Sequence, residues 1–352
     1  MVVKKKLLDT NQIDIKEDDI LALDRVLLET LLFDRSSEQN IIWATDNYVN
    51  LGSQFSPQSH ITIESITGEF NELIQPRIKK SKAVQESRSK DKAEVFTPSW
   101  ICNKQNNLID NAFFGRENVF NTETENGWIS TGKVEFLETE DWRDYVRAKR
   151  LEITCGEAPY ITSRYDATTG ELIEPMNRIG ILDRKLRVVH QFKGGDDVDM
   201  KNWFKWAKIA LQSTYGYEWQ GDNLLLAREN ILLTFIDFYR LKRPGKFPTE
   251  LQLREIAEII SWNIWQMDGL KMVIPETCGD REVVETKNPQ LTLFDEPDEL
   301  KIIIEPCLGC KNNDVHSHNG IQCKIKEWYN DNGNPVNRDK QIISFHTLVK
   351  NK

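Results

Sequence analysis

Apolar residues return along this chain in two periods, and the switches between them mark the elements. In "KEDDILALDRVLLETLLF", Ile20, Leu23, Val26, Leu27 and Leu31 recur at helical spacing behind an acidic first turn, which predicts one amphipathic helix near the N-terminus. "IIWATDNYVNLG" and "HITIESITG" read as short extended segments that end in glycine turns. Thr97-Pro98 is a helix-entry pair, and Ile101, Leu108 and Ile109 fit one apolar face of the helix that would follow. The first strong strand runs over about residues 151 to 154, in "LEITCG". A long connection leads to Trp203, Trp206, Ile209 and Ala210, a helical stripe. "YGYE" then reads as a short strand and "DNLLLARENILLTFIDFY" as a helix. "ELQLREIAEIIS" is a further helix, and "WNIWQMDGLKMVIP" a third strand that terminates at Asp268-Gly269. Strand, turn and helix in that order predict an α/β fold.

Past Pro275 the chain is polar and irregular as far as "KIIIEP", and "CKIKEWY" with "QIISFHTL" reads as a small hairpin. No internal repeat is present. Three regions are expected: residues 1–90, helical and extended with a basic linker; residues 91–275, the α/β core; and residues 276–352, a C-terminal appendage.

Composition narrows the class. A chain of 352 residues, 39% hydrophobic and 29% charged, suits a globular protein with one large core or two smaller ones. Its longest apolar runs, such as "NILLTFIDFY", fall well short of the roughly 20 residues that span a membrane. Lys4-Lys5-Lys6 is not followed by a signal-type apolar stretch, so a cytoplasmic protein without a membrane partner is expected. The net charge of -9 excludes a global basic field, so any DNA contact has to be local. "RIKKSKAVQESRSKDK", Arg77 to Lys92, is either a solvated linker or a phosphate-contacting segment.

The strand ends carry the chemistry. A small-residue turn at Gly156 lets a ligand lie on backbone N–H groups, while carboxylates at Glu218 and Asp268 can accept from sugar hydroxyls and from a base amino group. Together they describe a nucleoside site. The order and spacing resemble the S-adenosylmethionine-dependent DNA adenine-N6 methyltransferases of restriction-modification systems. "AEVFTPSWICNKQNNLID" is similar to the family's entry segment, "LEITCGEAPYI" to its glycine-turn motif, and "YGYEWQGDNLLLAREN" and "NIWQMDGL" to its second and third strand motifs. Over about residues 90 to 272 the resemblance implies a Rossmann-like class I methyltransferase core that binds S-adenosylmethionine. Glu152, Thr154, Cys155 and Gly156 would lie along the methionine part, Glu218 would hold the ribose, and Asp268 with Gly269 the adenine. Phe96, Thr97 and Pro98 would close over the methionine end. DNA, and a restriction or specificity subunit, are the implied partners in modification or phage defence.

Two departures bear on this. Glu157 and Ala158 stand where the family has a second small residue and a glycine. The family's Asn-Pro-Pro-Tyr, which stacks a flipped adenine and accepts from its N6, is missing; "NPQL", Asn288 to Leu291, lacks the second proline and the aromatic. An active modification subunit and an inactive methyltransferase-like binding component are both compatible with this pattern. Cys155, with no histidine near it in sequence, reads as a small buried residue rather than a nucleophile. Trp262 and Trp265 could stack on a purine or pack in the core.

The last constellation is "PCLGCKNNDVHSHNGIQC". Cys307 and Cys310 have the C-x2-C spacing that grips one face of a tetrahedral ion, and Cys323 with His318 or His316 can close the other. A structural zinc held by Cys307, Cys310, His318 and Cys323 is one expectation, incidental loop residues the other.

Overall fold

The computed structural model describes residues 8–91, 97–192, 197–285, 301–330 and 333–349. Phe96 and the Asn288–Leu291 stretch lie outside them. Two helices, α1 (Glu17–Leu23) and α2 (Arg25–Leu32), replace the single N-terminal helix. The break is Asp24, which is extended; its carboxylate caps α2 by accepting from the Val26 amide at 3.1 Å and is held by Arg254 at 2.6 Å. Leu27, Leu28, Leu31 and Leu32 of α2 are fully buried, each stabilising by about 1.5–3 kcal/mol relative to exposure. Val26, counted in the apolar stripe, faces solvent.

β1 (Phe33–Asp34) and β2 (Gln39–Asn40) make a short hairpin. The two extended segments after it meet at a single bridge, Ile42 to His60. The basic run forms α3 (Lys82–Asp91), and α4 (Ser99–Phe114) follows the Thr97-Pro98 entry. On α4 the expected face is the wrong one: Leu108 is 68% exposed, and the buried side carries Cys102, Asn103, Asn106, Asn107 and Asp110. The reason is Arg184, fully buried, whose guanidinium donates to Asp110, Asn103 and Asn107 at 2.5–2.8 Å. A buried cation must be surrounded by acceptors, so α4 turns its polar side inward.

β3 (Asn121–Thr124) and β4 (Gly127–Ser130) pair as a hairpin, and α5 (Trp142–Arg147) leads into β5 (Arg150–Glu152). The long connection after β5 contains a further helix, α6 (Ile181–Phe192), in which Ile181, Leu182, Leu186, Val188 and Val189 recur at helical spacing and are buried. Asp183, Arg184, Lys185 and Arg187 are buried within it as well. Lys185 donates to the carbonyls of Ala148 and Ser213, and its ammonium is pushed well down by burial. Next come α7 (Asp197–Gln212), with Trp203, Ile209 and Ala210 buried as expected, and β6 (Thr214–Glu218). Then follow α8 (Gly221–Lys242), α9 (Glu250–Asn263), opened by a Thr249/Gln252 capping box, and β7 (Ile264–Gln266).

β5, β6 and β7 form a parallel sheet with β6 in the middle, Glu152 opposite Gly216 and Glu218 opposite Gln266. Parallel pairing requires crossovers, supplied by α6–α7 and α8–α9, and the mixed helix-and-sheet architecture is compatible with the α/β expectation. One apolar core includes Leu27, Leu31 and Trp43 from the first 90 residues together with Trp203, Phe235 and Ile260. Across the sheet, Tyr215, Tyr217, Trp265 and Met267 form a second cluster with Cys323 and Ile325. The C-terminal segment thus covers a sheet face with β10 (Lys324–Lys326), which pairs with β11 (Ile342–Ser344) as the expected hairpin. Before it lie the antiparallel ribbon β8 (Arg281–Glu285) and β9 (Lys301–Glu305) and the one-turn helix α10 (Leu308–Asn312). Among the described residues no helix is long and apolar enough to cross a membrane.

Candidate functional site

At the carboxyl ends of β5 and β6 lies a cavity of about 850 Å³, within the range of small-molecule sites. Glu152, Thr154, Cys155, Gly156 and Glu218 line it, with Thr97 and Tyr160 on one wall and Ala44, Thr45 and Asp46 on another. The turn that makes room begins with Cys155, whose amide donates to the Tyr217 carbonyl at 2.8 Å and so prolongs the β5–β6 ladder by one rung. Gly156 then takes φ 54°, the left-handed region open to glycine, and its amide points across to the neighbouring strand. There it donates to Glu218 Oε2 at 2.8 Å, while the Gln220 amide donates to Oε1 at 3.2 Å. Thr154 and Ala158 are also left-handed, φ 45° and 63°. Ala158, standing where the family pattern has glycine, therefore keeps the glycine conformation at a cost of about 1–2 kcal/mol.

Two carboxyls sit on the cavity floor. Burial pushes Glu218 up to about 7, against the amides of Gly156, Gln220 and Trp219. Glu152 is raised well above its ordinary range by burial, against the Tyr160 and Ile161 amides that it accepts, and is raised further by Glu218. Asp46 and Glu276 also line the cavity, and no lysine or arginine does among the described residues. Such a site offers no cation to a phosphate and suits a neutral or cationic ligand. Cys155 is buried and its thiol is raised well above the ordinary range by burial, then by Glu152 and Glu218, which excludes a thiolate nucleophile.

The basic run is tied to this floor. Arg88 is buried and donates to Asp222 at 2.8 Å and to Gln220 and Asn223 at 3.3 Å, two residues that line the cavity. Tyr48 donates to the same Asp222 carboxylate at 2.7 Å, and Lys80 lies at 3.8 Å. Burial alone would raise Asp222, but Arg88 and Lys80 hold it far below its ordinary range. The segment is therefore neither wholly a solvated linker nor wholly available to phosphate. Glu157, unexpected in the glycine turn, anchors the start of the run by accepting from the Arg77 amide at 2.6 Å and from the Tyr165 hydroxyl at 2.7 Å.

The third strand end does not join the cavity. β7 stops at Gln266, and the Asp268 carboxylate folds back to accept from the Leu270 and Lys271 amides at 2.9 and 3.1 Å. Gly269 packs against the Tyr217 ring. Neither residue lines the cavity, whereas Trp219, Gln220 and Asn223, not singled out in the sequence, do. Trp219 stands directly after Glu218, and its indole N–H donates to the Ala44 carbonyl at 3.0 Å. Trp262 and Trp265 are core residues: Trp265 packs on Tyr217 and Phe345, and Trp262 under Arg35 and Lys326. Pro98 is the N-cap of α4, and the Ser99 amide beside it donates to Asp166 at 2.8 Å.

A second constellation lies in the C-terminal segment. Cys278, Cys307, Cys310 and His318 bring their ligand atoms within 4.8 Å of one another and could hold a metal such as zinc. The fourth donor is Cys278 rather than Cys323. Cys323 is buried against the sheet, 3.4 Å from the Gln266 carbonyl, and its thiol is pushed well up by burial. His316 packs against His346 instead. The Cys310 amide draws the Cys307 thiol down to about 6, while burial and the other two sulfurs raise Cys278 to about 11. No family model, curated protein or solved structure matches this chain.

Proposed function

We propose that the cavity binds S-adenosylmethionine and that the chain is a DNA adenine-N6 methyltransferase-like component of a restriction-modification or phage-defence system. The observation that carries this reading is the Gly156 amide on the Glu218 carboxylate at the ends of adjacent parallel strands, inside a cavity whose floor is acidic. Glu218 keeps acceptor capacity for a ligand hydroxyl, since a carboxylate offers about four lone-pair sites and three amides bear on it. Trp219 supplies an apolar surface for the base beside it, a role that the position of Asp268 does not support. The absence of lysine and arginine from the lining among the described residues suits the positive sulfonium and ammonium of this cofactor and argues against a nucleotide phosphate. The cofactor would supply the methyl group; the chain's own contribution is to bind, orient and exclude water.

The missing Asn-Pro-Pro-Tyr favours a second reading, a component that holds cofactor or DNA without transferring the methyl group. Calorimetric titration with S-adenosylmethionine, followed by tritium transfer to mixed-sequence DNA, separates the two. Binding with transfer supports the enzyme, and binding without transfer supports the inactive component. No binding removes both.

A further inference from the structure

A tetrahedral ion leaves a measurable outline in its ligands. With Zn–S of about 2.3 Å and Zn–N of about 2.0–2.1 Å, tetrahedral geometry puts sulfurs about 3.8 Å apart and sulfur and nitrogen about 3.6 Å apart. Cys278 Sγ lies 3.4 Å from Cys307 Sγ and 3.6 Å from Cys310 Sγ, and His318 Nδ1 lies 3.3, 3.7 and 3.7 Å from the sulfurs of Cys278, Cys307 and Cys310. All three cysteines are free thiols, and three sulfurs around one ring nitrogen is not a disulfide arrangement. The surroundings are built for close approach. A Cβ on Gly309, between the two cysteines of the C-x2-C, would stand 2.5–2.6 Å from the backbone nitrogen and ring of His318. Asn319 and Gly279 exchange hydrogen bonds at 2.8 and 3.3 Å, fastening the Cys278 loop to the His318 loop, and Asp280 accepts from the Cys307 amide at 3.0 Å.

We propose that Cys278, Cys307, Cys310 and His318 hold one structural zinc ion, and that this ion fixes the rim of the cavity at Glu276. Three thiolates and one imidazole gathered around one point are a donor set of structural zinc; iron–sulfur clusters are held mostly by four cysteines, or by two cysteines and two histidines in Rieske centres. The link to the cavity is covalent and short. Glu276 lines the cavity two residues before Cys278, in the left-handed region at φ 63°, where a non-glycine side chain is strained. Gln58 donates to its carboxylate at 2.9 Å. Around it, Ile274 donates to the Ile321 carbonyl at 2.9 Å, and Ile321 donates to the Thr277 hydroxyl at 3.0 Å. The strained residue is thus held between a short strand contact and a metal ligand. Few apolar side chains of this segment are buried, so the ion supplies the cross-link that packing does not. The zinc proposal stands whether or not the cavity takes S-adenosylmethionine.

The test uses the full chain purified without chelator. Elemental analysis is expected to give about one zinc per chain, falling at least tenfold in Cys307→Ser and unchanged in Cys323→Ser. Titrating the wild-type chain with a mercurial thiol reagent should release the zinc to a chromophoric chelator, which keeps the question answerable if Cys307→Ser does not fold. Hydrogen exchange at residues 273–280 should rise at least tenfold on release, while exchange in α8 stays unchanged. Less than about 0.1 zinc per chain after growth with added zinc, or loss of metal in Cys323→Ser, overturns the site. Unchanged exchange at 273–280 after release overturns its role at the rim.

Discussion

Replacing Glu218 with Gln tests the electrostatics of the cavity floor. Burial raises this carboxyl to about 7 from an ordinary 4.5. A raised value in the fold means that the folded chain keeps a proton that the unfolded chain has already released. The stability that this group contributes is full below about pH 4.5 and is lost as pH rises through about 7. With these two values, linkage gives a loss of about 2–3 kcal/mol between pH 5 and pH 8. Gln has no proton to release, so the variant escapes that loss. It carries a constant handicap instead, because one amide oxygen can serve either Gly156 or Gln220 but not both, and the amide left unpaired costs about 1–3 kcal/mol at every pH. Asp222 is present in both proteins, and Glu152, raised in part by Glu218, is relieved in the variant and shifts the difference in the same direction. Urea unfolding followed by tryptophan fluorescence at half-unit pH steps should therefore show Glu218→Gln gaining on the wild type by about 2–3 kcal/mol from pH 5 to pH 8. A difference that stays flat, or drifts the other way, would show that the carboxyl is not desolvated as argued.

Two further substitutions separate the framework from the site. Arg88→Met leaves the buried Asp222 with Tyr48, the Asn223 amide and the more distant Lys80 but without its close cation, so unfolding free energy should fall by about 3–5 kcal/mol; a loss under about 1 kcal/mol would mean that the basic run is a solvated face after all. Asp268→Ala removes the acceptor of two turn amides and should lower stability by about 1 kcal/mol while leaving S-adenosylmethionine affinity within about twofold; a tenfold loss in calorimetry would restore its adenine role.

What the sequence determined by itself was the succession of the three parallel strands with the helices α7, α8 and α9, and the strand end at Glu218. The helical stripe at Trp203 and Ile209, the helix after Glu218, and the turn at Gly156 are each set by neighbours within a few residues, and local periodicity reports them. The pair Gly156 and Glu218 was legible for the same reason: Glu218 ends β6, Gly156 lies in the turn that follows β5, and parallel strands align their ends. Tertiary structure decided everything that depends on pairing across long separations. Arg88 finds Asp222 134 residues away, Arg184 turns the polar side of α4 inward, and Arg254 holds the Asp24 that splits the first helix. Cys278 completes a ligand set whose other members begin 29 residues later, and Cys323, closer in sequence, is drawn under the sheet. Hydrophobic period marks a buried face only where that face is apolar. Where a charge is buried, the residues that neutralise it are chosen by distance in space, which spacing along the chain does not encode.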